Sequence, residues 1–353
     1  MIATDTNVAE VSSLVDLALD KTVNNFNLSP FRPNEKLNPT VAKKLHERLP
    51  LPDNDNIQAL ASFVDSTLYW KRACGGGGGS VGNVNEHGGC FKRQFFETNI
   101  QTSTDSEHEE EDIAKKLKSF SDFIHTLCLS DIQHSFPLEV VCSSLSNLQH
   151  INLKQVAGLR DSMPAAIVSS PYLTTLIITE SQITDDITTK LSEAQTLLHL
   201  DLGNNKITAN GVQHICEKLL SSADACLTHL DLSGNPLESE GATLLGQTLS
   251  NNDSLISLSL RLCMIGDEGG AELFESLSRN TSLNHINLSA NRLGSSSVET
   301  LLKVLESKKI EDCALESVVL ASNMISDDDD LVHRLREYKE CFIDVRDQCN
   351  SSQ

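Results

Sequence analysis

The chain has 353 residues, with 28 Lys and Arg against 49 Asp and Glu and a formal net charge of −21. That excess of negative charge argues against nucleic acid and anionic membrane as main partners. No run of about 18 apolar residues occurs, so no membrane-spanning helix is expected.

The first residues, MIATDTNVAEVSS, lack a basic opening followed by an apolar core, so no signal peptide is expected. Residues 8–19 (VAEVSSLVDLAL) read as an amphipathic helix. Pro30, Pro33 and Pro39 then break the chain, and Thr40 is placed to cap a helix over VAKKLHERL. LPLPDNDNIQALASFVDSTLYWKRAC follows, with the single Trp of the chain, Trp70. Residues 75–89 (GGGGGSVGNVNEHGG) read as a flexible insert. Gly77, Gly79 and Gly82 match GxGxxG, but no strand precedes them and no helix follows, so the spacing does not describe a dinucleotide site. FKRQFFETNIQ at 91–101 reads as a helix, and the acidic run 104–112 as a solvated hinge. Residues 1–112 are thus expected to form a small helical N-terminal region.

Beyond residue 112 the chain repeats itself. LLHLDLGNNKITANGVQHICEKL from Leu197 and LTHLDLSGNPLESEGATLLGQTL from Leu227 share every key offset, and the frame recurs at Leu255 and Leu283. Weaker copies start at Ile124, Leu148, Leu173 and Leu315, giving spacings of 24, 25, 24, 30, 28, 28 and 32. Within each copy the hydrophobic period changes. Leu at offsets 0, 3 and 5 suits a short strand, and apolar residues at offsets 18 and 22 suit one face of a helix.

Asn at offset 8 (Asn205, Asn235, Asn291, Asn323) falls where the chain bends and ladder partners are lost. Its amide both donates and accepts, so it can satisfy that bend; Val156, Ser181 and Cys263 hold the same offset and satisfy it less well. Gly211, Gly241 and Gly269 at offset 14 let the first helical turn pack closely. These repeats resemble leucine-rich repeats of the ribonuclease-inhibitor-like class. The fold class expected is α/β: a solenoid of about eight repeats over 113–330, with parallel strands concave and helices convex. Residues 331–353 are expected to supply a capping helix and tail, with Leu331, Leu335, Tyr338 and Phe342 as its apolar stripe.

Ten cysteines occur without CxxC or regular spacing; Cys128, Cys142, Cys216 and Cys263 fall in repeat frames as small buried hydrophobes, which fits a reduced, intracellular compartment. Five Asn-x-Ser/Thr matches, one at Asn287, carry no weight without secretion.

Two columns point out of the concave sheet. Offset 2 brings His199, His229, Ser257 and His285, and offset 4 brings Asp201, Asp231 and Asn287, with Arg261 just beyond. Two histidines and two carboxylates on adjacent strands are the material of a zinc site or of acid–base chemistry. Exposed strand positions of such repeats are polar as a rule, so the patch is read as a protein-contacting face. No enzyme activity, metal, cofactor or small-molecule substrate is expected.

YWKRAC (69–74), FKRQFFET (91–98) and the run into FIHTLCLSDI (123–132) resemble the leucine-rich-repeat subunit of the nexin–dynein regulatory complex, the t-complex-associated testis-expressed type. The glycine-rich insert and Phe91, in place of Trp, depart from that pattern. The resemblance implies a cytoplasmic, cytoskeletal protein of the axoneme of motile cilia or flagella, partnered by coiled-coil axonemal subunits. The segment ending in YWKRAC also resembles an F-box, which implies a substrate adaptor of a ubiquitin ligase instead.

Overall fold

The computed structural model describes Ala114, Leu117, Lys118 and Ser121, and residues 124–132, 138–157, 159, 170–191, 194–221, 225–307, 314–325, 330–337 and 341–346. The N-terminal helices, the insert at 75–89, the hinge at 104–112 and the YWKRAC and FKRQFFET segments lie outside the described residues. Met1–Ile124 and His125–Gln353 are separate compact units.

The second unit is built on one sheet whose strands follow chain order. They are β1 (Thr126–Ser130), β2 (His150–Lys154), β3 (Thr175–Thr179), β4 (His199–Asp201), β5 (His229–Asp231), β6 (Ser257–Ser259), β7 (His285–Asn287), β8 (Ser317–Val319) and β9 (Phe342–Asp344). Every neighbouring pair is parallel, and each register sets equal offsets of successive repeats side by side: Leu176, Leu200, Leu230, Leu258 and Ile286 form one row. Such a row is buried while its neighbours in the strand are not, as the alternation in β2 and β3 illustrates. Beyond the formal strand ends the ladder continues, with Leu232 N–H bonding Ser259 O (2.9 Å) and Leu260 N–H bonding Asn287 O (2.8 Å).

The return helices are α1 (Leu138–Ser144), α2 (Asp186–Lys190), α3 (Ala209–Ile215), α4 (Glu238–Leu249), α5 (Gly266–Leu277), α6 (Ser295–Ser307) and α7 (Asp330–Glu337). Their length follows repeat length. The 24-residue repeat from Leu173 has room for only the 5-residue α2, whereas the 28-residue repeats carry helices of 12 residues. In the 30-residue repeat the surplus is absorbed as a π-helical turn, Cys216–Leu220, continuing α3. Helix α4 buries Ala242, Leu245 and Leu249, and α5 buries Leu273, Phe274 and Leu277, so each presents one apolar stripe to the sheet. A Cβ on Gly269 would lie 2.8 Å from the Ser239 Cα, so the approach of α5 to the start of α4 requires glycine there.

The sheet runs one strand past the eight repeats counted in the sequence. Helix α7 does follow β8 and buries Val332 and Leu335, but the chain then re-enters the sheet as β9, paired in parallel with β8. Phe342 therefore does not extend a helical stripe; it stands in β9 with 65% of its surface exposed. The repeat frame is present there only as Ile343 and Val345, with Glu340 where Leu would stand.

Candidate protein-binding face

The Asn column lines the bends that follow the strands. Asn235 Nδ2 donates to Leu202 O (2.8 Å) of the preceding repeat and to Leu232 O (2.9 Å) of its own, while Oδ1 accepts from Ile207 N (2.9 Å). Asn205 accepts from Ser181 N and Ile183 N, and Asn291 accepts from Cys263 N and Ile265 N. Asn323 accepts from Asn291 N and Leu293 N. Each side chain thus ties two repeats together.

Where another residue holds the offset, the tie is thinner. Ser181 Oγ accepts from Val156 N (3.1 Å) and donates to Thr179 O (2.9 Å). Cys263 Sγ donates to Leu232 O (3.2 Å), and Leu237 N–H turns instead to Asn235 O (2.9 Å). Burial pushes the Cys142 and Cys263 thiols up to about 12 and that of Cys216 to about 11, so these sulfurs stay protonated, as expected of small buried hydrophobes. Cys128 departs from that expectation, being only half-buried in β1.

A second buried asparagine pair escaped the sequence reading. Asn252 Oδ1 accepts from Ser254 N and Leu255 N, and its Nδ2 reaches Leu220 O (2.9 Å). Asn280 repeats this with Ser282 N, Leu283 N and Leu249 O (2.8 Å). Both sit three residues before a repeat start, inside Asn-x-Ser-Leu. That recurring tetrapeptide is the available signal.

On the open face of the sheet, registration brings the candidate residues together. His199 lies beside His229 and Asp201 beside Asp231, then Ser257 beside His229, and His285 with Asn287 on the next strand. Arg261 stands two residues past β6, exposed in the loop. The imidazoles of His199 and His229 stack with ring centroids 5.6 Å apart and planes at 26°. Thr228 spends its hydroxyl proton on Leu198 O (2.8 Å), so at 2.9 Å it accepts from Nδ1–H of His229. His285 faces Glu316 across 3.9 Å, both exposed.

Asp201 and Asp231 carry a role not read from the sequence. Each accepts through Oδ1 from a backbone N–H two residues on, Gly203 and Ser233, both at 2.8 Å. Asn287 does the same for Ser289 N (3.1 Å), and Asp344 for Arg346 N (3.1 Å). The offset-4 side chain pins the turn after the strand, so a charge at this position is separable from the turn bond: Asn287 makes it without one.

Burial pushes the Asp201 carboxyl up from 3.8; the Gly203 N–H opposes this and the Asp231 charge adds to it. Burial lowers His199 from 6.5, and the proximity of His229 lowers it further, against the pull of Asp231. A histidine depressed on folding stabilises the neutral form, so its contribution is complete above 6.5 and is lost as pH falls through the folded value. Replacing His229 by Gln is expected to bring the His199 titration, followed by imidazole NMR, part of the way back up. It should not return fully, because burial is the larger cause. No movement would mean that the rings do not sense each other. Among the described residues no group of three His, Cys, Asp or Glu is placed to hold a metal ion.

A family model described as Leucine Rich repeat matches residues 193–216, 223–246 and 251–274, which run through β4–β6 and their helices. The sheet and its helices are a leucine-rich-repeat solenoid. The chain is 30% identical over 216 residues to the ribonuclease inhibitor of Mus musculus, covering 51% of this chain and 47% of the inhibitor. It is 30% identical over 223 residues to NACHT, LRR and PYD domains-containing protein 14 of Mus musculus, covering 52% of this chain and 22% of that protein. With protein 4C of the same name it shares 32% over 273 residues, 76% of this chain and 26% of the relative. The chain thus spans half or less of these relatives. The likeness carries the leucine-rich repeats and adds nothing to the axonemal resemblance. Leucine-rich repeats generally mediate protein–protein interaction.

Proposed function

We propose that this chain is a protein-interaction scaffold, not an enzyme, that holds a basic surface of a partner protein against β4 and β5 of its leucine-rich-repeat sheet. One observation carries the reading. Asp201 and Asp231 sit side by side on adjacent strands, and neither forms an ion pair among the described residues. Burial pushes the Asp201 carboxyl up. A partner's Lys or Arg placed over the pair would offset that cost and pull Asp201 down. The ribonuclease inhibitor among the relatives is, by its name, a protein that acts on another protein.

The test is capture on the immobilised full chain with stepwise salt elution. Raising salt from 0.15 M to 1 M shortens the screening length from ~8 Å to ~3 Å, so an exposed charge contact should be released in that range. Retention through 1 M salt would count against charge as the holding force.

The finer assignment to the dynein regulatory complex rests on YWKRAC, FKRQFFET and the run into residues 123–132. A tagged copy in a ciliated cell tests it: axonemal localisation with coiled-coil axonemal proteins in the eluate supports it, and Skp1 with cullin would support the F-box adaptor instead. Localisation in the cytoplasm and cytoskeleton is part of the same proposal.

A further inference from the structure

Four side chains of β4 and β5 form a square on the open face, with His199 beside His229 and Asp201 beside Asp231. Neutral residues border it on both sides. Thr175 and Ile177 of β3 stand against His199 and Asp201, and Ser257 and Ser259 of β6 stand against His229 and Asp231. Charged and titratable groups lie only beyond that border. Lys154 pairs with Glu180 (3.4 Å), and His150 stands on β2 past Thr175. On the other side His285 lies 3.9 Å from Glu316. Arg261 follows the end of β6, beyond the carboxylates and away from the imidazoles.

The charge of the square therefore depends on its own imidazoles. It is about −2 when both rings are neutral and about zero when both carry a proton, a change that imidazole makes between about pH 5 and 8. The rings stack with centroids 5.6 Å apart, so their protons repel and arrive one after the other. Protonation breaks no bond at His229, because both nitrogens of an imidazolium donate and Nδ1–H keeps its contact to Thr228 Oγ1 (2.9 Å). Burial and then the neighbouring His229 hold His199 below 6.5, against Asp231, so its charge appears only as the medium turns acid.

We propose that the His199–His229 pair makes the β4–β5 face release its basic partner in acid. This rests on the reading of Asp201 and Asp231 as the holding contact and adds its regulation. A cation over the carboxylates stands two strand residues, ~6.6 Å, from the imidazoles. Each positive charge gained at that range weakens the contact by about threefold in water-like surroundings, and by more where the partner shuts water out. The coupling is reciprocal: a bound cation makes each ring harder to protonate, and each proton taken up loosens the cation. Binding is thus complete above the histidine range and is lost as pH falls through it. Asp201, its carboxyl pushed up by burial, acts in the same direction at the acid end. His285 adds little, because Glu316 is at hand to balance its charge.

The test uses the full chain and a fluorescein-labelled octa-arginine peptide, whose charge is constant over the range. Fluorescence anisotropy at low ionic strength compares the wild type with the pair His199→Gln and His229→Gln. At about pH 7.5 the two should bind alike, within about twofold; at about pH 5.5 the wild type should bind about fivefold or more weaker than the glutamine pair. Comparing the two chains cancels what the peptide does at other acidic residues. His229→Gln alone, which leaves the half-buried His199 in place, should give part of the effect, and His285→Gln should behave as wild type. Equal pH dependence in the wild type and both His229 variants would overturn the proposal, as would the full effect from His285→Gln. Asp201→Asn with Asp231→Asn at about pH 7.5 reads the holding contact itself, and should weaken the peptide by about tenfold. If that pair binds as the wild type does, the site reading falls and the release with it. If it binds more weakly while the histidine variants change nothing, only the release falls.

Discussion

Asn291→Ala is expected to lower the melting temperature by about 10 °C. The side chain is fully buried, at 0% exposure, and its replacement removes four hydrogen bonds at once. Oδ1 accepts from Cys263 N (2.8 Å) and Ile265 N (3.5 Å), and Nδ2 donates to Leu260 O (2.6 Å) and Ser289 O (3.3 Å). Alanine offers nothing in return, and the pocket is closed to water. Each backbone group left unpaired costs ~1–3 kcal/mol. Counting the two shortest bonds as the ones that matter gives about 2–6 kcal/mol, with ~2–4 °C per kcal/mol for a domain of this size. Ser181→Ala is the internal comparison, because its hydroxyl makes one bond in each direction and should cost less. If thermal denaturation places Asn291→Ala within about 2 °C of the wild type, the column does not support the bends.

The second large effect is on binding. Asp201→Lys with Asp231→Lys is expected to reduce capture of the basic partner by more than about 100-fold, because like charges then face each other across the contact. This double change is not silent in the fold, since both carboxylates also pin a following turn through Gly203 N and Ser233 N. The clean companion is Asp201→Asn with Asp231→Asn, which keeps the turn bond as Asn287 does and removes only the charge. It should weaken capture by about tenfold and leave the melting temperature close to wild type. Capture that survives the lysine pair would move the partner to another surface.

Much of the solenoid is visible in its leucines. A residue buried by a strand and one buried by a helix obey different periods, so Leu227, Leu230 and Leu232 followed by Leu245 and Leu249 announce both elements in one stretch. The open face follows from the same frame, because side chains alternate across a strand. What escaped was whatever depends on a bond rather than a period. Asn252 and Asn280 look like surface polar residues until the carbonyls they meet are in view. The turn bonds of Asp201 and Asp231 are equally silent, since an aspartate that pins its own turn and one that only faces solvent are spelled alike. Strand β9 failed for the opposite reason: Ile343 and Val345 keep the period, but two residues are too few to announce it. The left-handed residue that each repeat carries after its strand is invisible without φ.

The asparagine column has a mechanical meaning. Because Asn205, Asn235, Asn291 and Asn323 each grip the repeat before their own, they act as the teeth of a zip fastener. At Cys263 one tooth is replaced by a thiol, at Ser181 by a single hydroxyl, and at Val156 by a side chain with no hydrogen bond to give. A fastener with weak teeth parts at those teeth. Under load or heat the stack would come away in blocks, with seams before Cys263, Ser181 and Val156. A partner lying across the first seam, from His229 to Ser257, would then serve as a clasp as well as a cargo.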